Sequence, residues 1–577
     1  MSNEAAAIAA ARMRSERRIV STLRDAKAHS ADQAAALPPG RLPARGALRS
    51  LIRSKAVRET DDGRYWLDET DYKEHRELRR TRVFLSLFGI AALLIIIGTV
   101  TGARAHGPTH TQAQTQAPVP TFAVTESPAT LRPDQAVFRD LYRELVETNT
   151  TLSEGDCTLA AQRMAAHLTT AGYPAGDVEV IVPDDQPKFG ALVATLHGTD
   201  ADAPAMLLLA HIDVVEANRA DWTRDPFTLI EEGGYFYARG ASDDKAQASV
   251  WVDTLVRLKQ EGFQPRRDIK LALTCGEETS DNWNGVTWLL EHRPETLQAG
   301  FALNEGAGGN LDAQANRIAL NVQAGEKVYQ DFTLELTNPG GHSARPRKDN
   351  AIAAMGGALS RLIAFDFPLE LTPVTRGYFS ALIETSPAFA DDLRAITATE
   401  TPDPAAAARL GAANPVWNAM MRTTCIPTLI DGGHALNAQP QRVTANVNCR
   451  ILPGHTIAET QAVLARVLDV PAIAITTVGE PSPTAPAPPL TAAILDPIKQ
   501  AAAEMWPGVP VVPTLSTGAT DGRFTNAAGI PTYGVTGMFT DPDGNGVHGL
   551  NERLRVRSLY EGRDFLFALV RAYAVQE

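Results

Sequence analysis

The chain has 577 residues, more than one ordinary domain needs, and its 44% hydrophobic and 21% charged residues exclude a disordered or fibrous protein. A formal net charge of -13 excludes a catalytic body that holds nucleic acid through a general basic face, and points to small substrates. Four cysteines (Cys157, Cys275, Cys425, Cys449) are too few for a disulfide framework and match no zinc-ribbon spacing; they leave room for one bridge, with Cys425–Cys449 the candidate pair.

Residues 1–82 are polar and arginine-rich, with Arg76, Arg79, Arg80 and Arg82 crowding their end. Within them Leu48 to Ala56 reads as a helix and Val57 to Asp68 as a hairpin turning at Asp61-Asp62-Gly63, the outline of a small winged-helix-like module; a plain cytoplasmic basic tail is the competing reading. From Val83 to Ala103 no charged residue occurs, and the run is long enough to span the hydrocarbon core of a bilayer, so a single transmembrane helix is predicted over 83–103. The flanking arginines place the N-terminus in the cytoplasm and everything after the span outside it, periplasmic or extracellular. Ala103-Arg104-Ala105 resembles a signal-peptide cleavage site, but the long segment ahead of the span favours an uncleaved anchor.

Residues 104–133, rich in Thr, Gln and Pro, read as a linker. Pro133-Asp134 is a helix start, followed by Phe138, Leu141, Tyr142, Leu145 and Val146 on one helical face. A second helix follows from about Cys157 to Ala171. Short apolar runs then alternate with helices: runs at 178–182, 190–196 and 206–210, helix 246–261, run 269–274, helix 284–292, run 301–303. Such alternation predicts an α/β fold, a parallel or mixed sheet covered by helices.

In sheets of this kind ligands gather beyond the carboxyl ends of strands, and four strand ends here carry acids or histidine. The run 206–210 ends on His211 and Asp213, which project from one strand face, with Asp213 placed as a partner or a brace for the histidine. Tyr235 to Ala238 leads into Ser242-Asp243-Asp244-Lys245, Ile269 to Thr274 into Cys275-Gly276-Glu277-Glu278, and Phe301 to Leu303 into Asn304-Glu305. Converging carboxylates repel unless a cation neutralises them. A bound metal pair does so most simply, and a His/Asp/Glu set without thiolate suits zinc, with cobalt or manganese as substitutes.

The series L-L-A-H-I-D-V-V, G-R-G-A-S-D-D-K, C-G-E-E, L-N-E-G, G-G-H-S-A-R-P and V-H-G-L-N-E resembles, in order and from about residue 134 to 577, the di-zinc family of aminoacylase, carboxypeptidase S, acetylornithine deacetylase and succinyl-diaminopimelate desuccinylase. The resemblance implies two zinc ions bridged by Asp243, one also held by His211 and Glu305, the other by Glu278 and His548. It makes Glu277 the general base and Asp213 a brace for His211. Asn304 stands where close relatives usually carry Asp, a departure that alters charge without removing a ligand.

From Glu326 the pattern changes. Val328 to Thr337 alternates apolar and polar, Pro339-Gly340-Gly341-His342-Ser343 interrupts, and helix 350–364 follows; later come strand 442–450 and helix 457–468. This β-α-β order predicts a ferredoxin-like α+β domain over 326–480, inserted between catalytic segments 134–325 and 481–577. In the family it is a lid or dimerisation domain, which implies a possible homodimer. The Ala/Pro-rich stretch 366–425 reads as an elaboration of that lid. The resemblance also implies that His342 reaches over the metals to stabilise an oxyanion, that Arg450 grips a substrate carboxylate, and that Gly518 supplies a backbone donor. The expected activity is hydrolysis of amide bonds in dipeptides, short peptides or N-acyl amino acids by a membrane-anchored metallopeptidase. The rival readings are a catalytically silent membrane-tethered binding protein and a cytoplasmic regulatory module coupled to an external domain.

Overall fold

The computed structural model describes residues 130–278, 283–479 and 481–576, together with parts of 19–72. Two units, Met1–Pro118 and Val119–Glu577, are taken separately. In the first, Val57–Glu59 pairs antiparallel with Tyr65–Leu67, and Ile19, Val20, Leu23, Leu51, Val57, Leu67 and Tyr72 form a small buried core. The hairpin is therefore real and packed, although its turn at 61–63 lies outside the described residues.

The single transmembrane helix, and the single-pass localisation built on it, require correction. Residues 83–103 lie outside the described residues, and among those described no helix is long and apolar enough to cross a membrane. Even the 20-residue helix Val556–Val575 carries Arg557, Glu561, Arg563, Asp564 and Arg571, and its apolar side is absorbed by the core. What stands is the α/β catalytic body with its inserted domain.

The body is built on a ten-stranded mixed sheet. From one edge its strands run Phe539–Thr540, Gly309–Leu311, Arg317–Glu326, Thr532–Gly534, Phe301–Asn304, Met206–His211, Ile269–Thr274, Ala191–Leu196 and Val178–Ile181, with Val511–Ser516 paired to Arg317–Glu326. Met206–His211 is central and parallel to both neighbours. Every one of its residues is buried, which is why it reads as an unbroken apolar run: a parallel strand with both faces covered has no solvent side to carry polar residues. Helix Lys245–Gln260 covers it, and the Trp251 indole N–H donates to the Leu209 carbonyl at 3.1 Å.

The inserted domain has its own core, including Phe332, Leu334, Met355, Leu362, Val447 and Leu464. Its antiparallel sheet runs Thr424–Gly432, Arg442–Ile451, Val328–Thr337, Ala474–Thr477, with helices Ala351–Ala364 and Ile457–Leu468 completing the βαββαβ order. The ferredoxin-like expectation holds. The stretch 366–425, which interrupts this domain between helix Ala351–Ala364 and strand Thr424–Gly432, behaves differently from a lid elaboration: Val374, Phe379, Leu393, Ile396, Leu410 and Trp417, from four short helices between Pro373 and Met420, pack into the catalytic body's core. Gly377 permits this close approach, since a β-carbon there would meet the Pro513 ring at 2.9 Å.

All four cysteines are paired. Cys425–Cys449 joins opposed residues of adjacent lid strands. Cys157–Cys275, a bridge the sequence did not suggest, ties the first turn of helix Cys157–Thr170 to the strand end that leads into Glu277.

Candidate metal centre

Three loops at the carboxyl ends of sheet strands Met206–His211, Ile269–Thr274 and Phe301–Asn304, and the loop after Tyr235–Tyr237 of a separate three-stranded sheet, bring the acids together. His211 is buried at the end of its strand, its Nδ1 3.0 Å from the Asp213 carbonyl oxygen and its Nε2 3.1 Å from Asp243 Oδ1 and 3.7 Å from Glu305 Oε1. On the other side of Asp243, His548 Nε2 lies 3.2 Å from Oδ2 and 2.9 Å from Glu278 Oε1. Asp243 thus presents one carboxylate oxygen to each histidine. The ligand atoms of His211, Asp243 and Glu278, and those of His211, Glu277 and Glu305, form two sets, each within 4.8 Å.

The electrostatics are those of a cation site. Burial, reinforced by neighbouring acids and opposed by His211, pushes the Glu277 and Glu305 carboxyls well above their usual range. Burial pulls the His211 imidazole down, yet Glu305, Asp213 and Asp243 together hold it well above its ordinary value. His548, hydrogen-bonded to Asp243 and Glu278, is pushed up to about 10. Two imidazoles and four carboxylates converging without thiolate fit a hard or borderline divalent metal.

The sequence placed Asp213 as a brace for His211, and its carbonyl does meet the ring. Its carboxylate, with Oδ1 3.6 Å from His211 Nδ1, also accepts the backbone N–H groups of Glu277 at 3.3 Å and Glu278 at 3.0 Å, fixing the turn from which those two side chains diverge. Asn304 is buried and donates to Thr520 Oγ1 at 3.2 Å, a bond an ionised Asp could not donate.

Glu552, last residue of the V-H-G-L-N-E stretch, was not singled out as a site residue, yet it secures the backbone at Asp243. Its Oε1 accepts the N–H of Ser242 at 2.8 Å and Asp243 at 3.0 Å, while Oε2 accepts Gly240 N–H and pairs with Arg239 at 2.7 Å. One buried carboxylate therefore locks the loop bearing Asp243 to the loop bearing His548. The signal was its place four residues after a ligand. His548 itself adopts left-handed backbone, φ 59°, a conformation that costs a β-carbon residue energy and clusters at functional sites.

His342, Arg450 and Gly518 are not gathered with this group. His342 is exposed on the short strand Gly341–His342, its Nδ1 accepting the Ala344 N–H at 3.1 Å. Arg450 lies over the Tyr329 ring at 4.5 Å and, among the described residues, forms no ion pair. Burial lowers its guanidinium pKa, and the positive charge of Arg523 acts in the same direction. Arg523, which follows the Gly518-Ala519-Thr520-Asp521 loop, is a neighbour the sequence reading did not name. Gly518 N–H donates to Ser516 Oγ at 3.1 Å.

The family model described as peptidase family M20/M25/M40 matches residues 207–572, the span that carries every element of this centre. The chain belongs to that family. It is a metal-dependent hydrolase, and the relatives of this M20 chain agree. It is 28% identical over 384 residues to human N-fatty-acyl-amino acid synthase/hydrolase PM20D1, covering 65% of this chain and 75% of that protein. It is 25% identical over 460 residues to mouse aminoacylase-1, covering 78% of this chain and 97% of that enzyme. Its fold matches the crystal structure of an M20 family metallo-carboxypeptidase from Sulfolobus solfataricus with a TM-score of 0.56 and 18% identity, over 77% of this chain and all of that one.

Proposed function

We propose that this M20 hydrolase cleaves the amide bond of N-acyl amino acids, dipeptides or short peptides with a free carboxylate on the leaving side, using two zinc ions for which cobalt or manganese can substitute. The observation that carries the reading is Asp243, set between His211 and His548 with Glu305 on one side and Glu278 on the other. His211, Glu305 and one oxygen of Asp243 would hold one ion; His548, Glu278 and the other oxygen would hold the second. Such a pair supplies Lewis acidity toward the scissile carbonyl and makes water acidic enough to deprotonate near neutrality.

The chain's own residues do the rest. Glu277, held by Asp213 beside Glu278, takes the proton of the attacking water on its carboxylate and delivers it to the leaving nitrogen as the C–N bond breaks, giving a carboxylic acid and a free amine. The Arg450 guanidinium, without an ion pair among the described residues, grips the carboxylate of the leaving amino acid, and His342 is a donor toward the carbonyl; the Gly518 N–H reaches substrate only by giving up its bond to Ser516 Oγ.

The adjacent glutamates test this directly. Glu277→Gln retains metal and loses about 10²–10⁴-fold in turnover, whereas Glu278→Gln loses metal as well. Elemental analysis showing the same zinc loss in both variants would refute the assignment, and a metal-replete protein that cleaves no N-acyl amino acid or dipeptide would make the chain a binding protein instead.

A further inference from the structure

A cavity of about 460 Å³ opens beside the metal centre, with Asp243 and Glu305 in its wall. Its other walls come from the catalytic body and from the helix Pro373–Thr385 that packs on it, which contributes Tyr378. Arg450 is not among its lining residues, so a substrate held at Arg450 by its leaving-side carboxylate would direct the other side of the scissile bond into this space.

The composition of the cavity is unusual for a pocket meant for a hydrocarbon chain. Asn310, Asn321, Gln323, Thr514 and Ser516 line it, with Leu515 and Met538 among a minority of apolar side chains. Among the described residues no lysine, arginine or histidine does, so away from the metal centre an acidic group would find no counter-charge. Gln247, on the first turn of helix Lys245–Gln260, also lines it; the residue is only 1% exposed, and neither its amide nitrogen nor its amide oxygen has a hydrogen-bond partner among the described residues. Asp244 Oδ2, in the same wall, is likewise buried and unpartnered. Buried polar groups are almost always satisfied, so two such groups lining one cavity draw their partners from its contents, water when it is empty and a ligand when it is filled. A carboxamide, which donates and accepts at once, is complementary to the Gln247 amide; an alkyl chain would leave that amide buried and unpaired.

We propose that this cavity is the subsite for the group on the acyl side of the scissile bond and selects a neutral side chain that both donates and accepts hydrogen bonds, a carboxamide foremost, with Gln247 as the specificity-determining residue. The inference rests on the amide-hydrolase reading above. It separates this chain from a fatty-acyl specificity, because long alkyl chains would have to displace the hydrogen-bonding wall rather than use it.

The test compares three substrates with one leaving group: glutaminyl-alanine, its near-isostere methionyl-alanine, and decanoyl-alanine. The metal-replete protein should favour glutaminyl-alanine over methionyl-alanine by at least about tenfold in kcat/KM, and over decanoyl-alanine by more. Gln247→Met should bring the first ratio near one while metal content is retained. Asn321→Leu, at a second lining position, should reduce it in the same direction should Gln247→Met not fold. Equal or faster cleavage of methionyl- or decanoyl-alanine by the unmodified protein overturns the proposal while leaving the hydrolase reading intact, as does a ratio unchanged in both variants. Failure to cleave any of the three overturns both.

Discussion

The catalytic body and the inserted domain hold their functional residues in opposite ways. In the body, four of the site residues have a further bond that fixes them: His211 through the Asp213 carbonyl, the backbone of Glu277 and Glu278 through the Asp213 carboxylate, and the backbone of Asp243 through Glu552. In the lid, Arg450 forms no ion pair among the described residues and His342 stands exposed on a two-residue strand. The difference follows from burial. Acids clustered in a low-dielectric site must be positioned by the fold or they would repel one another apart, whereas a group that meets substrate only during turnover must leave its hydrogen-bonding capacity open.

The two disulfides probe the contrast on the largest scale. Cys157–Cys275 closes 118 residues of sequence inside the body, Cys425–Cys449 only 24 inside the lid. In the chain-entropy picture their removal costs about 5 and about 3 kcal/mol respectively. Denaturant unfolding of the Cys157→Ser/Cys275→Ser and Cys425→Ser/Cys449→Ser variants measures both. We expect the first also to lower activity in what remains folded, since Cys275 lies two residues before Glu277; a body variant that is no less stable than the lid variant would remove the idea that the bridge secures the site.

The lid's contribution should be electrostatic and confined to substrate. Arg450→Met is expected to lower kcat/KM for an N-acyl amino acid by about ten- to a thousandfold while the C-terminal amide analogue changes little, with metal content unaltered. If the unmodified enzyme cleaves acid and amide equally, Arg450 serves the fold of the lid and the substrate carboxylate is read elsewhere.

Glu552 offers the reverse case, a body residue that acts only through another. Glu552→Gln cannot accept as strongly from three backbone N–H groups and Arg239, so metal affinity should fall about 10–100-fold, with KM nearly unchanged once metal is saturating. Competition with a chelator reads the affinity; a variant that binds metal normally would reduce Glu552 to a core residue.

The smallest effect is expected at the junction of the two regions. Burial pushes the Glu326 carboxyl up to about 7, with the Thr520 N–H opposing. A carboxyl whose folded pKa is raised contributes stability that is complete below its unfolded value near 4.5 and is lost as pH rises through about 7. Glu326→Gln keeps an acceptor for Thr520 and removes that titration, so its Tm relative to the parent should improve by a few degrees between pH 5 and pH 8. An identical difference at both values would show that Glu326 does not titrate in this range.

The sequence by itself determined the elements and the order of the chemistry. A buried parallel strand has to be written as an unbroken apolar run, so Met206–His211 was visible, and acids placed just past strand ends could be read as a ligand set before any geometry was known. Two strands and both helices of the inserted domain were equally legible, because a half-buried strand alternates and Val328–Thr337 does so without a break, whereas Thr424–Gly432 and Ala474–Thr477 were not read as strands. Only the tertiary structure decided what lay far apart in sequence: that Cys157 meets Cys275, that the helices between Pro373 and Met420 belong to the catalytic body's core, that Asp213 turns its carboxylate toward Glu277 and Glu278, and that Gln247 is left without a partner in a cavity wall. Periodicity reports which face of an element is buried but not what it is buried against; that is settled by long-range packing, where one Ala-rich helix fits several surfaces and close approach at a residue such as Gly377 selects among them.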